Sequence, residues 1–343
     1  MVIRKISYYR VIVSLCLFMF FLSPVFGDEN SAVSFDKELP ENNIVTIQPD
    51  SLRILHNPLT GWVLYASMGV DAADFWAQYD HMYIPELGHN VSVTDYAHTL
   101  YIRASWTDFN PQEDVYGWKI DSNLRAYIEG AYQRNMRLAF RVVVDSRDKR
   151  TEFTPQFVKD AGAKGFMNKG KWSPYSDDPV FQKYYTKFVK ALAKDFNDPS
   201  KVEFIDGFGL GKWGEYHTMI YSTGDDTPKK AVFDWVTDIY SQAFDKVPVV
   251  INYHRWIGAG KDWVDDEHFA ADSEEMLEGA IKKGYSLRHD AFGMTTYYGS
   301  WERRFAKKYR NICPIIMEGG WIVKSHSYWQ DPRGYRKDSH LSL

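Results

Sequence analysis

The chain has 343 residues, enough for one large domain. Its 41 Lys+Arg against 45 Asp+Glu give a formal net charge of −4, which excludes a nucleic-acid binder that works by basic excess. Hydrophobic residues make up 45% and mean hydropathy is −0.42, which excludes a polytopic membrane protein and a disordered chain. At the N-terminus Arg4, Lys5 and Arg10 precede an apolar run from Val11 to Phe21, and Val25 and Gly27 follow where signal peptidase needs small or modest residues. The run is short for a bilayer span of about 20 residues. Residues 1–27 are therefore predicted to be a cleaved signal peptide, which makes the protein secreted or periplasmic with no membrane span after cleavage. Cleavage would leave 316 residues, shift the net charge from −4 to −7 by removing three bases and no acids, and remove Cys16. Cys313 is then the one cysteine left, so neither an intramolecular disulfide nor a cysteine-based zinc site is expected. Residues 28–50 are polar and read as a flexible lead-in to a domain spanning 51–343.

Along that domain, short apolar runs alternate with longer amphipathic segments. The predicted strands are 61–65, 99–104, 138–144, 202–209, 247–253, 291–296 and 314–317. Each is almost continuously apolar, as strands buried on both faces of a parallel sheet are. Helical spacing is predicted over 121–133, 178–196, 228–244, 273–283 and 301–309, with Asp121 as an N-cap. Strand–helix alternation gives an α/β fold, either an open doubly wound sheet or a (β/α)8 TIM barrel. The dinucleotide version of the open sheet lacks its glycine fingerprint after the first strand, and Gly207-Phe208-Gly209-Leu210-Gly211 lacks the Lys-Ser/Thr of a phosphate loop. Seven strands are one short of a barrel. Either residues 68–98 contain another strand, or the barrel is incomplete at the C-terminus, with strand eight missing or truncated.

In such a barrel the functional side chains sit at the C-terminal ends of the strands. Two carboxylates fall there: Glu215, after strand four, and Glu318, ending strand seven behind Ile315-Ile316-Met317, where a charge is costly without a partner or a role. Strands four and seven face each other across a barrel mouth, so the two carboxylates can flank one glycosidic bond, one attacking and the other protonating the leaving oxygen. Arg103 can pair with the nucleophile and keep it ionised. Asp206 competes for the acid role, although its mid-strand position favours a structural one. Arg103 and Arg141 lie on apolar strands, where they either bind substrate or cancel buried carboxylates. Trp106, Trp213, Trp256 and Trp321 follow strand ends and are read as a sugar platform. Tyr253 and Tyr297 are added as binding residues, and His217 and His254 as groups that orient the carboxylates or bind hydroxyls. His254 with Asp262, Asp265, Asp266 and His268 is the alternative of a metal site; that acidic run reads more simply as a solvated loop, so neither metal nor cofactor is expected.

The segment Tyr101 to Trp118, with Trp106, Pro111, Glu113, Tyr116 and Trp118 and then Asp121, resembles the opening of β-galactosidase-like glycoside hydrolases. Asn57-Pro58-Leu59-Thr60-Gly61-Trp62 is similar to the Asn-Pro-x-x-Gly-Trp opening of secreted bacterial proteins of the Bacteroidetes type that carry the domain of unknown function DUF4832. The resemblance covers roughly residues 55–321 and extends to the retaining (β/α)8 glycosidase clan. It implies Glu215 as acid/base, Glu318 as nucleophile, an oligo- or polysaccharide substrate with a β-galactoside as first expectation, and a C-terminal β-sandwich that is missing here. The chain departs from the clan at Gly214, where an asparagine usually precedes the acid/base. The expected function is a secreted β-glycosidase; the alternatives are a non-catalytic carbohydrate-binding barrel and an inactive truncated fragment.

Overall fold

The computed structural model describes residues 62–66, 68–85, 87–145, 151–260, 267–292 and 298–319. The predicted signal peptide and lead-in, the segment 57–61, Tyr297, Trp321 and the acids Asp262, Asp265 and Asp266 lie outside them. Seven strands form one sheet: β1 (Trp62–Tyr65), β2 (Ala97–Ser105), β3 (Arg137–Val143), β4 (Val202–Asp206), β5 (Val249–Asn252), β6 (Ser286–Phe292) and β7 (Ile315–Gly319). They pair in simple sequence order, and every pair is parallel. The principal helices are α1 (Ala72–Asp80), α2 (Ser122–Gln133), α3 (Pro179–Phe196), α4 (Lys229–Ala243), α5 (Glu267–Lys282) and α6 (Ser300–Tyr309). Helix starts follow local chemistry. The Asp121 carboxylate accepts from the Leu124 amide at 2.7 Å and Asp178 from the Phe181 amide at 2.8 Å, with Pro179 in the first turn.

Side chains alternate between two cores. From β2 and β3, Leu100, Ile102, Ala104, Leu138, Phe140 and Val142 point outward and join the helix residues Leu124, Tyr127, Phe181, Tyr185 and Phe188 in the main apolar cluster. The opposite face of the sheet contributes Tyr101, Ala139, Phe204 and Val250, with Ile316 against them, to a second and smaller cluster. That inner cluster draws on five of the seven strands, so the sheet curls around it. Its curvature is also measured by contacts across it. β3 and β7 are four places apart in the sheet, which on a flat surface separates them by about 19 Å. Yet Arg141 Nη2 on β3 lies 3.7 Å from Glu318 Oε2 on β7. Likewise the Arg288 guanidinium on β6 sits 5.6 Å from the Tyr101 ring centroid on β2. The fold is thus α/β, a parallel sheet curled as in a (β/α)8 barrel with one strand fewer; among the described residues β1 and β7 are its two edges.

Two expectations need correction. The described residues of 68–98 add no further barrel strand: before β2 starts at Ala97 they form α1, an antiparallel hairpin, Met82–Ile84 with His89–Val91, separate from the main sheet, and a short turn of helix, Val93–Asp95. Strand six begins at Ser286 and is described to Phe292, five residues ahead of the start predicted at 291; 293–296 lie outside the described residues. Arg288 and Asp290 interrupt its apolar pattern because this level of the sheet's interior is ionic, while His289 between them packs on Tyr253 and Tyr298 on the opposite face.

Candidate active site

Register aligns the charged side chains. Arg103 on β2 pairs in register with Arg141 on β3, and Arg141 with Asp206 on β4. Arg288 on β6 lies beside Asn252 on β5 and Ile316 on β7. Above the inner apolar cluster these residues face one another across the curl. Arg141 is 1% exposed and binds acids from three directions: Nε to Asp206 at 2.8 Å, Nη1 to Glu215 Oε1 at 2.8 Å and Nη2 to Asp290 at 2.9 Å. Arg288, equally buried, contacts Asp206 at 3.3 Å and makes close ion pairs with Asp290 and Glu318. Tyr101 donates to Asp206 at 3.0 Å, and Asn252 donates to Asp290 at 2.7 Å. Every acid in this cluster is therefore paired, as burial of charge demands.

Glu215 and Glu318 are brought together. Both contact Arg141, at 2.8 and 3.7 Å, and a guanidinium spans about 2.3 Å between its terminal nitrogens. Their nearest oxygens are therefore at most about 9 Å apart, a bound compatible with the roughly 5–5.5 Å of a retaining pair and with the roughly 6.5–9.5 Å of an inverting one. Their ion pairs lie on the inner wall of the sheet, not on its outer surface. Glu318 keeps about a quarter of its side chain exposed, whereas Glu215 keeps 9%.

The backbone that presents Glu215 is stiff. Beyond β4, the Val144 amide donates to Gly209 O, Tyr216 to Leu210 O, Lys212 to His217 O and Gly258 to Tyr216 O, all at 2.9–3.1 Å. Gly209 has φ +79°, and a Cβ there would collide with the Val142 carbonyl and the Tyr185 hydroxyl. Trp213, Tyr216 and Thr218 hold φ of 59°, 60° and 51° although none is glycine. Strain of this kind persists only where surrounding contacts over-determine it, and it concentrates at functional sites.

Burial, and next the negative charge of Asp290, pushes the Glu215 carboxyl up to about 7, against the opposing hydrogen bond from His217 and the charge of Arg141. Burial and then Asp290 push Glu318 up to about 7 as well, opposed by Arg141 and Arg103. Burial raises Asp206 to about 6 against Arg141. These three carboxyls bind protons more tightly folded than unfolded, so their contribution to stability is complete below pH ~4 and is lost as pH rises toward 7. Urea unfolding between pH 4.5 and 7.5 should show this loss, and Glu215→Gln should make the decline shallower. An unchanged slope in the variant would show that Glu215 titrates in the ordinary range.

The remaining predicted residues divide. His217 is buried with Nε2 3.4 Å from Glu215 Oε2 and Nδ1 3.0 Å from the Thr218 hydroxyl, in keeping with an orienting role. Trp213 is 37% exposed beside the site, and its carbonyl accepts from Arg103 at 3.0 Å. Arg141 is paired with buried carboxylates, the second of the two roles considered for it. Arg103 donates to Trp213 O and, at 3.3 Å, to the Tyr65 hydroxyl; the ion pair expected of it with Glu318 is made by Arg288 instead. Trp106 is fully buried among Phe157, Phe181, Tyr185 and Phe188, and so belongs to the core rather than to a sugar platform. Trp256 is also fully buried, under Arg255. Tyr253 is a core residue too, its hydroxyl 2.7 Å from that of Tyr298 and its ring stacked on Phe305. His254 is fully buried. Burial lowers it to about 3, and as a neutral ring its Nε2 donates to the Glu215 carbonyl at 3.0 Å. Asp206 is structural, as its mid-strand position suggested. Arg288, Asp290 and Tyr65 were missed. Placing β6 five residues earlier would have put the first two on its inner face.

The fold and site together define a curled parallel α/β barrel with a buried carboxylate–guanidinium cluster at the C-terminal ends of its strands. Solved structures with a similar chain trace include a GH10 protein from Paenibacillus barcinonensis, 13% identical with a TM-score of 0.47, covering 83% of this chain and 79% of that one. They also include the intracellular xylanase TsXylA from Thermoanaerobacterium saccharolyticum, 10% identical, TM-score 0.45, covering 82% and 80%. Endo-glycoceramidase II from Rhodococcus sp. is 12% identical with a TM-score of 0.40, covering 75% and 72%. No protein-family model matches the chain, and no curated protein matches it in sequence.

Proposed function

We propose that this chain is a glycoside hydrolase that cleaves a β-glycosidic bond through Glu215 as acid/base and Glu318 as nucleophile, with retention of configuration. The observation that carries the reading is the meeting of these two carboxylates, from the β4 loop and the end of β7, on the single guanidinium of Arg141. In the first step Glu318 attacks the anomeric carbon while the protonated Glu215 gives its proton to the leaving oxygen. In the second, Glu215 takes a proton from water, which releases the sugar from Glu318. The more exposed carboxylate is the one assigned to bond with the sugar, and the more buried one is held as the acid, as burial favours. A β-galactoside is the proposed substrate class, on the resemblance in sequence, and export through residues 1–27 the proposed route, on the basic and apolar pattern of that segment. Among the described residues no helix is long and apolar enough to cross a membrane.

Incubation with activated 2-deoxy-2-fluoro glycosides tests the retaining step. The expected result is a stable mass increase on the peptide that contains Glu318. Neither label nor hydrolysis across a panel of aryl glycosides would overturn the reading. The small exposure of Glu215 favours a second reading, a sugar-binding barrel without turnover; binding of a glycoside without label or hydrolysis would establish it.

A further inference from the structure

The ionic cluster is unevenly composed. Two guanidiniums, Arg141 and Arg288, contact four carboxylates, Asp206, Glu215, Asp290 and Glu318, and a third, Arg103, adds its charge from beside them while bonded to Tyr65 and Trp213 O. Asp290 is the central acid. It touches Arg141 at 2.9 Å, forms an ion pair with Arg288 and accepts from Asn252, and its side chain is 10% exposed. Within it are the same two arginines that hold Glu215 and Glu318. Around this core stand Tyr65 and Tyr101 from β1 and β2, His217 beside Glu215, and His254 and His289, both held neutral by burial. With His254 and His289 neutral, full ionisation of the four acids against three guanidiniums leaves one negative charge in a low-dielectric interior whenever His217 carries no proton.

Resting on the glycosidase reading and deepening it, we propose that Asp290 is a positioning residue. It puts one carboxylate more than the guanidiniums can neutralise into the cluster, so that one proton stays on the Glu215–Glu318 pair at neutral pH. The acid step needs that proton, and neither Glu215 nor Glu318 has to lose its arginine partner to keep it. Asp290 is suited to this task because it touches both arginines without occupying the position of either glutamate. Its negative charge disfavours ionisation of both glutamates, in line with the upward shift it imposes on each.

The test is a titration of the folded protein labelled with 13C at the glutamate carboxyl, read by NMR and assigned with Glu215→Gln and Glu318→Gln. In the unsubstituted protein one of the two carboxyls is expected to titrate between about pH 6 and 8. In Asp290→Asn that midpoint should fall by about 2 pH units, and Asp290→Glu, which keeps the charge, should restore it. Titration of both glutamates below about pH 5 in the unsubstituted protein, with the proton on His217 instead, would overturn the proposal, as would an unmoved midpoint in Asp290→Asn. If Asp290→Asn fails to fold, the unsubstituted titration and Asp290→Glu decide the matter. The readout uses no substrate. A protein that holds the proton but hydrolyses no glycoside would therefore refute the glycosidase reading and leave this one standing.

Discussion

Replacing Glu318 by glutamine is expected to reduce turnover of an aryl β-glycoside by a factor on the order of 10⁴ while leaving glycoside binding largely intact. The amide is close in shape to the carboxylate but is a far weaker nucleophile toward the anomeric carbon. The fold should persist, because Arg288 retains Asp290 and Asp206 and Arg141 retains three other acids. Glu215→Gln should behave differently. With a poor leaving group, loss of the proton donor should cost about 10²–10⁴ in rate; with an activated leaving group, which departs without a proton, the first step should be nearly unaffected. Steady-state rates over a series of aryl glycosides separate the two roles. Full turnover by Glu318→Gln would remove the nucleophile from the mechanism, and an equal loss across all leaving groups in Glu215→Gln would remove the acid.

Arg141→Ala is expected to destabilise the protein by about 3–5 kcal/mol at pH 7.5, a fall in Tm on the order of 10 °C. The substitution leaves the buried Glu215 with no guanidinium contact and takes one from each of Asp206, Asp290 and Glu318, which keep Arg288. The penalty arises from leaving charges unpaired, not from any large net gain made by the pairs. It should therefore shrink at pH 5, where the orphaned carboxyls can take up protons. Lys187 gives the contrast. It bridges Glu113 and Asp114 at 2.8 and 2.7 Å on the surface, and Lys187→Ala should cost under about 1 kcal/mol. Urea unfolding of the two variants at both pH values checks the comparison. A loss in Arg141→Ala no larger than that in Lys187→Ala would mean that the cluster does not hold the mouth together.

Asp290 shows where sequence reading stops. Its segment, Ser286-Leu287-Arg288-His289-Asp290, carries three ionisable residues in five and lacks the run of apolar residues that marks a strand buried on both faces. The reading slid forward to 291–296, and with it went two of the most connected residues of the site. The same rule succeeded for β3, where Arg141 alone breaks an apolar stretch. Trp106 failed for the opposite reason. Its place just beyond a strand end matched a rim position, but the short helix Trp106–Phe109 turns it inward onto α3.

Local chemistry in the chain was sufficient for the seven-fold alternation of strand and helix, the cap at Asp121, and the candidacy of Glu215 and Glu318. Period, capping and the cost of a charge behind an apolar run are all properties of neighbouring residues. The partners of those charges depended on tertiary structure. Which arginine meets which acid, and that Glu318 binds Arg288 while Arg103 binds Tyr65 and Trp213 O, follows from how far the sheet curls and how its register staggers. Those are set by contacts between residues far apart in the chain, such as Arg141 and Glu318, 177 positions from one another, and no local pattern encodes them.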